Sequence, residues 1–244
     1  MTVKTALVTG GARGLARGIA LDLAAQGWSV AICYRTSKQD AETTCHDIEQ
    51  AGGQALAVQA DISDPAVSKA LVERVEKELG GIDALVNGAG PYHRVPLLEE
   101  TAEGWRSMFD NNLHPVFDLA KAVAPGMKER GWGRILSFAM ANADRVQANP
   151  FVAAHFIAKM GILVLTRSLA RVLTPHGITV NTISPGFIDT QSAPDEELQA
   201  MLKRIPAGRL GDVEDAVAAA RFLLSDDAAY VSGANIVVSG GWGL

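Results

Sequence analysis

Short apolar runs recur along the whole chain, at residues 6–8, 30–32, 56–58, 84–86, 135–136, 178–180 and 236–238. Each run is continuously apolar, which is typical of strands that are covered on both faces of a parallel sheet. Between the runs, apolar residues follow a helical spacing, as at Leu15, Ile19 and Leu23. The pattern predicts an α/β fold in which strands and helices alternate.

The chain has 244 residues, of which 48% are hydrophobic, enough to bury one large core. We therefore predict a single-domain Rossmann fold over residues 1–244, with a doubly wound parallel seven-stranded sheet and helices on both faces. In such folds ligands bind at the carboxyl ends of the strands. The longest stretch between predicted elements, residues 187–213, is rich in Pro, Asp and Glu, and we predict that it is a substrate lid.

Charge and composition exclude several classes of function. The formal net charge of −5 argues against nucleic-acid binding, and no apolar run approaches the roughly 20 residues that span a bilayer. The N-terminus lacks the apolar region of a signal peptide, so we expect a cytoplasmic protein without membrane association. The two cysteines, Cys33 and Cys45, match neither a disulfide framework nor a metal motif, and no metal site is predicted. A small-molecule substrate is expected.

A glycine-rich turn follows the first predicted strand and opens a helix, running from Thr9 through Gly10, Arg13 and Gly14 to Leu15. Gly10 permits the tight turn. Gly14 lets backbone amides at the start of the helix approach a pyrophosphate, where the helix dipole favours negative charge. A strand before the turn and a helix after it are the context that a dinucleotide-binding motif requires. The sequence therefore predicts a nicotinamide dinucleotide site.

The residues after the second predicted strand favour NADP (NADPH) over NAD. An acidic residue there would select the free ribose hydroxyl of NAD, whereas this chain has Tyr34, Arg35 and Thr36. Arg35 and Arg13 could together clamp a 2′-phosphate, with hydroxyl groups of Thr36 or Ser37 donating. The alternative is that both arginines are solvated surface charges.

Several further motifs follow in order along the chain. They are Asp61-Ile62, Asn87-Gly88-Ala89-Gly90, Asn112-Leu113, Pro185-Gly186 with Thr190, and Gly240-Gly241. With the glycine-rich turn they make the chain resemble the short-chain dehydrogenase/reductase family, of the 3-oxoacyl-(acyl-carrier-protein) reductase type, over nearly its whole length. The family turn reads TGxxxGxG, and here Ala16 replaces its last glycine. The stretch from Asn87 to Gly90 stands for the usual NNAG.

The resemblance implies roles for individual residues in cofactor binding. Asp61 and Ile62 would contact the adenine, and Ala89 and Gly90 would line the ribose. Ile188 and Thr190 would hold the nicotinamide carboxamide. Asp61 has an alternative as a helix cap, a position that Asp64 could also take.

The family's catalytic pattern is broken in this chain. The resemblance implies a Ser that polarises the carbonyl, a Tyr that donates the proton, a Lys four residues later and an upstream Asn. Lys159 and Asn112 stand at the last two positions, and we place Asn112 in a long helix interrupted by Pro115. His155 stands at the Tyr position. The Ser position is occupied by Met140 when counted from the preceding strand, and by Asn142 when counted back from His155.

Whether His155 replaces the tyrosine is open. Its imidazole reaches about 2 Å less far than a phenol, and a general acid needs hydrogen-bond contact with the reacting oxygen. The positive charge of Lys159 would also disfavour the imidazolium form. His155 could instead be a packed or cofactor-contacting residue. Tyr92 and His93 lie nearby, and either could supply the proton or line the crevice.

Two functions fit these features. The first is NADPH-dependent reduction of a carbonyl (3-oxoacyl-like) or imine substrate. The second is a catalytically impaired homologue that binds NADP as a regulatory or sensor protein. The resemblance also implies a homotetramer, and we place apolar contact residues on a helix over 150–172, at Phe151, Ile162 and Leu169. An acyl-carrier protein is a doubtful partner, because Arg130 matches a basic family position but His176 is a weaker cation.

Overall fold

The structure is a computed structural model and describes residues 3–189 and 201–243. Seven parallel strands form one sheet in the order β3-β2-β1-β4-β5-β6-β7. Their bounds are Thr5–Thr9 (β1), Ser29–Tyr34 (β2), Ala55–Gln59 (β3), Ile82–Asn87 (β4), Gly133–Phe138 (β5), Ile178–Pro185 (β6) and Asn235–Val238 (β7). The predicted parallel seven-stranded sheet is confirmed, and every apolar run of the sequence lies in one of its strands.

Helices cover both faces of this sheet. They are Gly14–Ala25 (α1), Lys38–Gln50 (α2), Pro65–Leu79 (α3), Ala102–Asn112 (α4), His114–Arg130 (α5), Ala153–Leu173 (α6) and Val213–Leu224 (α7). Short 3₁₀ turns lie at Leu97–Glu99, Thr174–His176 and Asp226–Ala228. Within the described part of the chain, no helix combines the length and apolarity needed to cross a membrane.

Two apolar cores separate the sheet from its helices. On one face α1, α2 and α7 pack against the strands, with Ile19, Ile48 and Leu223 buried. On the other face α3, α5 and α6 do so, with Val75, Leu119 and Leu173 buried. Because side chains alternate along each strand, neighbouring strand residues enter opposite cores, which explains why the runs are continuously apolar. The doubly wound architecture is confirmed.

The helix boundaries correct two predictions. Asn112 is the last residue of α4, and Pro115 lies in the first turn of α5, so a junction at Leu113 replaces the single interrupted helix. Proline is tolerated there because the first amides of a helix have no intrahelical partner. The helix that carries His155 and Lys159 begins at Ala153 rather than near residue 150. Asp64 caps α3, with its side chain accepting from the Ala66 amide, as predicted for that position.

Strand order reverses between β1 and β4, and this is where the candidate site lies. The crossover from β1 leads outward to β2 and β3, whereas β4 continues in the opposite direction. The connections that follow these strands therefore diverge and leave a crevice at the carboxyl ends. The glycine-rich turn after β1 and the loop after β4 form its two sides.

Candidate cofactor and active site

A cavity of about 310 Å³ opens at the carboxyl ends of β1, β2, β3 and β4. Predicted cofactor residues line it: Gly10, Arg13, Tyr34, Arg35, Thr36, Asp61, Ile62, Ala89 and Gly90. The predictions from four separate motifs thus converge on one site. Ser37, named in the sequence as an alternative to Thr36, also lines the cavity, and the lining residues that sequence reasoning missed as ligands include Pro91 and Asn111.

The start of α1 faces this cavity with free backbone amides. Arg13 occupies the N-cap position without a side-chain cap, and no acidic residue stands in the first turn of α1. Gly10 and Gly14 both have positive φ, 68° and 57°, a conformation that favours glycine. A Cβ at position 10 would lie 3.0 Å from the backbone of Ala89, so the turn also needs glycine for space. This arrangement is suited to an anion at the helix start.

Thr9 joins the turn to the loop after β4. Its hydroxyl oxygen accepts from the amides of Gly88 and Ala89 at 3.1 and 3.2 Å. Leu15 packs against the first core, and Asn87 donates to the Ser137 hydroxyl at 3.1 Å. Thr9, Leu15 and Asn87 therefore hold the glycine-rich turn and the loop after β4 in place, and they do not line the cavity.

The two departures from the family's glycine motifs compensate each other. The Cβ of Ala16 occupies space at the turn where the family pattern has glycine. Gly88 stands opposite, and a Cβ there would lie 2.6 Å from the Ala16 Cβ. Losing a glycine at position 16 is thus matched by gaining one at position 88, and the turn and the loop keep their close approach.

Both arginines of the predicted clamp already have ionic partners among the described residues. Arg35 and Arg13 both line the cavity. Arg13 Nε donates to Asp40 Oδ2 at 2.8 Å, and Arg35 lies 3.9 Å from Asp61 Oδ2. The residues directly after β2 carry no carboxylate, but Asp40, from the first turn of α2, reaches Arg13 in the fold. Both ion pairs are largely exposed, so they neutralise the arginines only weakly.

Asn111 fixes the position of Arg35. Its Oδ1 accepts from Arg35 Nη1 at 3.0 Å, and its Nδ2 donates to the Ser107 carbonyl at 2.9 Å. The second bond fixes which way the amide points. This contact was missed because position 111 carries no motif of its own and meets Arg35 only through the fold.

Asn112 and Lys159 are buried together beside Gly90. A Cβ at position 90 would overlap Asn112 Oδ1 and lie 3.6 Å from Lys159 Nζ. Lys159 Nζ donates to the Phe138 carbonyl at 2.9 Å, and burial lowers the pKa of Lys159 from 10.5 to about 8. Asn112 Nδ2 donates to the carbonyls of Pro91 and Met108. Its Oδ1 is buried without a partner in the described residues, leaving an acceptor available at this point.

His155 lies in the same buried group as a neutral ring. Burial lowers its pKa from 6.5 to about 4, and the charge of Lys159 adds to this effect. The backbone carbonyl of Pro91 opposes it by accepting a hydrogen bond from the ring. The ring Nδ1 is buried and finds no partner within residues 3–189 and 201–243. At neutral pH His155 can accept a hydrogen bond from a ligand but holds no ionisable proton to transfer.

Neither candidate for the Ser position presents a hydroxyl. Met140 packs against an apolar cluster formed by Ala139, Ala143 and Leu163. Asn142 adopts a left-handed φ of 69°, and its amide faces the chain terminus, where a Cβ on Gly243 would overlap it. The choice between Met140 and Asn142 stays a prediction.

The predicted nicotinamide side of the site is described in part. At the end of β6, Pro185 is followed by Gly186, whose amide donates to the Val238 carbonyl. Ile188 pairs with Gly211 in an isolated bridge. Thr190 and residues up to 200 lie outside the described residues, so the lid over 187–213 stays a prediction. In the parts of the chain that the structure describes, no group of His, Cys, Asp and Glu could hold a metal ion.

The basic residues considered for an acyl-carrier protein lie away from the crevice. Arg130 ends α5, and its Nε donates to Asp83 Oδ1 at 3.0 Å. His176 lies in the turn just before β6. Both positions are at the amino ends of the strands, the edge opposite the cavity. An acyl-carrier partner therefore stays a prediction, because neither basic residue lies near the cavity of its own subunit.

The residues around the cavity fit a dinucleotide. Glycine at positions 10 and 88 lets the turn after β1 and the loop after β4 approach each other closely. The free amides at the start of α1 suit a pyrophosphate. Asp61 and Ile62 line the far end of the cavity beside Arg35, where an adenosine half would lie. The buried group of Asn112, Lys159 and His155 lies next to Gly90, at the other end.

Comparisons with known proteins agree with this geometry. A family model described as enoyl-(acyl carrier protein) reductase matches residues 10–243. The chain is 37% identical over 241 residues to the 3-oxoacyl-(acyl-carrier-protein) reductase FabG of Staphylococcus aureus strain Mu50, covering 98% of this chain and 97% of that protein. It is also 37% identical to FabG of Escherichia coli strain K12, covering 98% and 96%.

A solved structure is similarly close. The blue fluorescent protein from a metagenomic library, crystallised in complex with NADPH, superposes with a TM-score of 0.92 at 35% sequence identity. The match covers 99% of this chain and 98% of that one. The chain therefore belongs to the enoyl-(acyl carrier protein) reductase group of the short-chain dehydrogenase/reductase family, a family of oxidoreductases.

Proposed function

We propose that this protein is an NADPH-dependent reductase of a small carbonyl or imine compound. The observation that carries this proposal is the buried group of Asn112 and Lys159 beside Gly90, at the end of a cavity built for a dinucleotide. Burying a lysine costs free energy, and buried groups with a shifted pKa cluster at functional sites. Nicotinamide supplies the hydride when bound, and Lys159 and Asn112 would orient its ribose and the substrate there.

Two observations favour NADPH over NADH. Arg13 and Arg35 line the same end of the cavity, and Asn111 holds Arg35 in place. The fluorescent protein of similar structure was crystallised with NADPH. The carboxylates of Asp40 and Asp61 lie beside these arginines, so a 2′-phosphate would exchange one ionic partner for another.

An Arg35→Asp variant should bind NADPH about 30-fold more weakly, while NADH binding stays level or improves. The substitution removes a charge-assisted bond and adds repulsion, together worth about 2 kcal/mol. Fluorescence titration of both cofactors measures the two affinities. Arg74→Asp is the control, because Arg74 is a half-exposed residue of α3 outside the cavity lining. Unchanged NADPH affinity in the Arg35 variant would show that the clamp does not exist.

The second candidate function is a cofactor-binding protein without turnover. It is favoured by the thioether of Met140 and the neutral ring of His155, which leave two catalytic positions without a proton donor. NADPH oxidation with a panel of ketones, β-ketoesters and cyclic imines separates the two functions when run beside an NADPH titration. Binding without turnover on any substrate would favour the regulatory or sensor protein.

We also propose that the protein is a homotetramer. An open apolar groove of about 850 Å³ runs between α5 and α6, and its exposed members include Phe117, Ile157 and Val164. The residues expected from the sequence need correction, since Ile162 is buried in its own chain and Leu169 packs against the second core. Exposed apolar area of this kind indicates a partner, and a second copy of the same helices is self-complementary by symmetry.

Light scattering at micromolar concentration should give four times the chain mass of 25.7 kDa. A Val164→Glu variant should reduce this mass, because it places a carboxylate in the groove. Val172→Glu is a matched control, being equally exposed on α6 but outside the groove lining. A wild-type monomer would contradict the assembly.

A further inference from the structure

Tyr92 packs directly against the residue that replaces the family's tyrosine. Its ring lies edge-on to the ring of His155, with centroids 5.1 Å apart and planes at 88°. Tyr92 follows Pro91, which lines the cofactor cavity, and lies in the connection from β4 to α4. The residue is 61% exposed. Tyr92 therefore lies beside the position of the missing catalytic phenol and is open to solvent.

The loop that carries Tyr92 is anchored on both sides. The Pro91 carbonyl accepts from Asn112 Nδ2 at 3.1 Å, which links the loop to the buried catalytic group. Further along, the Val95 amide donates to the Phe151 carbonyl at 2.8 Å, just before the helix of His155. His93 forms a 2.7 Å contact with Glu100. These contacts hold the loop on both sides of Tyr92.

The other groups at this point are poorly suited to donate a proton. His155 is neutral at pH 7, and Met140 carries a thioether without a donor. Lys159 already donates to the Phe138 carbonyl from a buried position. His93 is held by Glu100. Of the described groups in contact with this buried set, Tyr92 is the one with an exposed hydroxyl group and no hydrogen-bond partner among the described residues.

We propose that Tyr92 is the general acid of this reductase, a role moved from the α6 position to the loop after β4. This inference rests on the proposed reductase function. In the step, hydride from the nicotinamide forms the new C–H bond at the carbonyl carbon, and the C=O π electrons move to oxygen. The O–H bond of Tyr92 breaks, and its proton forms the hydroxyl of the product. NADPH becomes NADP⁺, and the phenolate takes a proton from water.

The exposure of Tyr92 explains how the acid is regenerated. A buried phenol needs a chain of groups to return its proton from solvent, whereas Tyr92 meets solvent directly. Asn112 and Lys159 are thereby left to hold the cofactor and the loop. The edge-to-face contact with the His155 ring fixes the orientation of the phenol ring of Tyr92.

A Tyr92→Phe variant tests the inference, because it keeps the ring contact and removes only the hydroxyl. Its turnover number for ethyl acetoacetate, or for the ketone that the wild type reduces best, should fall about 100-fold or more. Its NADPH affinity should stay unchanged. Reduction of a quaternary cyclic iminium ion, which accepts hydride without needing a proton, should stay within about twofold of the wild-type rate. Tyr230→Phe is the control, since Tyr230 is fully exposed and lines a separate surface pocket.

The outcomes separate this inference from the proposed function. If none of the carbonyl or iminium substrates supports NADPH oxidation by the wild type, both the reductase function and the role of Tyr92 are overturned. A wild type that reduces ketones, with a Tyr92→Phe variant that does so at an equal rate, overturns the role of Tyr92 and leaves the reductase function intact. An equal loss on ketone and iminium substrates also overturns it, because such a loss reports damaged substrate binding rather than a missing proton.

Discussion

Acidification from pH 7 to pH 4 should remove about 3 kcal/mol of folding free energy through His155 alone. Burial, with the charge of Lys159 adding to it, lowers the pKa of His155 from 6.5 to about 4. The unfolded chain therefore binds this proton first as the pH falls. Its contribution to stability is complete above pH 6.5 and is lost progressively down to about pH 4. The size follows from about 1.4 kcal/mol for each pH unit between the two values.

Urea unfolding at pH 7 and at pH 4.5 measures this loss. A His155→Phe variant should lose about 2 kcal/mol less than the wild type over that interval, because it has no imidazole to protonate. His46→Phe is the control, since His46 is exposed on α2 and its removal should leave the acid sensitivity of the wild type. If the His155 variant and the wild type lose equal stability, the ring is not buried in the neutral form.

The low pKa of His155 also limits which group can donate a proton in the site. A histidine that titrates near pH 4 carries no proton to donate at neutral pH, so the position that supplies the acid in the family cannot do so here. Its unpartnered Nδ1 is an acceptor, suited to a hydroxyl or N–H group of cofactor or substrate. His155 then contributes to binding and to the orientation of Tyr92.

The fold could be predicted from the sequence because its signals are local. Each strand is a short apolar run, each glycine turn stands directly between a strand and a helix, and Asp64 stands directly before its helix. Such features depend on neighbours in the chain. Where a boundary depended on a single proline, as at Pro115, the prediction was wrong because proline fits the first turn of a new helix as well as it breaks an old one.

The site could be predicted only in part, because its decisive contacts join distant segments. Asp40 and Asn111 reach Arg13 and Arg35 from other helices, and no spacing rule points to them. In the sequence, Gly88 is only a departure from the asparagine of the family pattern, whereas in the fold it lies opposite Ala16. The contact between Tyr92 and His155 joins residues 63 positions apart, and only the fold shows that the two rings meet.

Adding Met140→Ser and His155→Tyr to the Tyr92→Phe variant should restore ketone reduction about 100-fold. Lys159 and Asn112 are still in place, and the positive charge of Lys159 would lower the pKa of a phenol introduced on the same face of α6. A serine at position 140 would polarise the substrate oxygen. The background variant matters, because in the wild type an acid at Tyr92 would hide the gain. The rate of NADPH oxidation with ethyl acetoacetate measures the rescue.

The parallel variant carries Asn142→Ser with His155→Tyr on the same background, and it decides which residue stands at the Ser position. Because an error of about 1 Å can cost roughly 100-fold, only one of the two serines should rescue. The geometry favours position 140: Asn142 sits in a left-handed conformation facing Gly243, whereas Met140 packs against Leu163, one helical turn beyond Lys159. If both sets bind NADPH normally, neither reduces a ketone and the wild type reduces none either, the crevice is not built for carbonyl reduction. The role of a cofactor-binding protein without turnover would then be preferred.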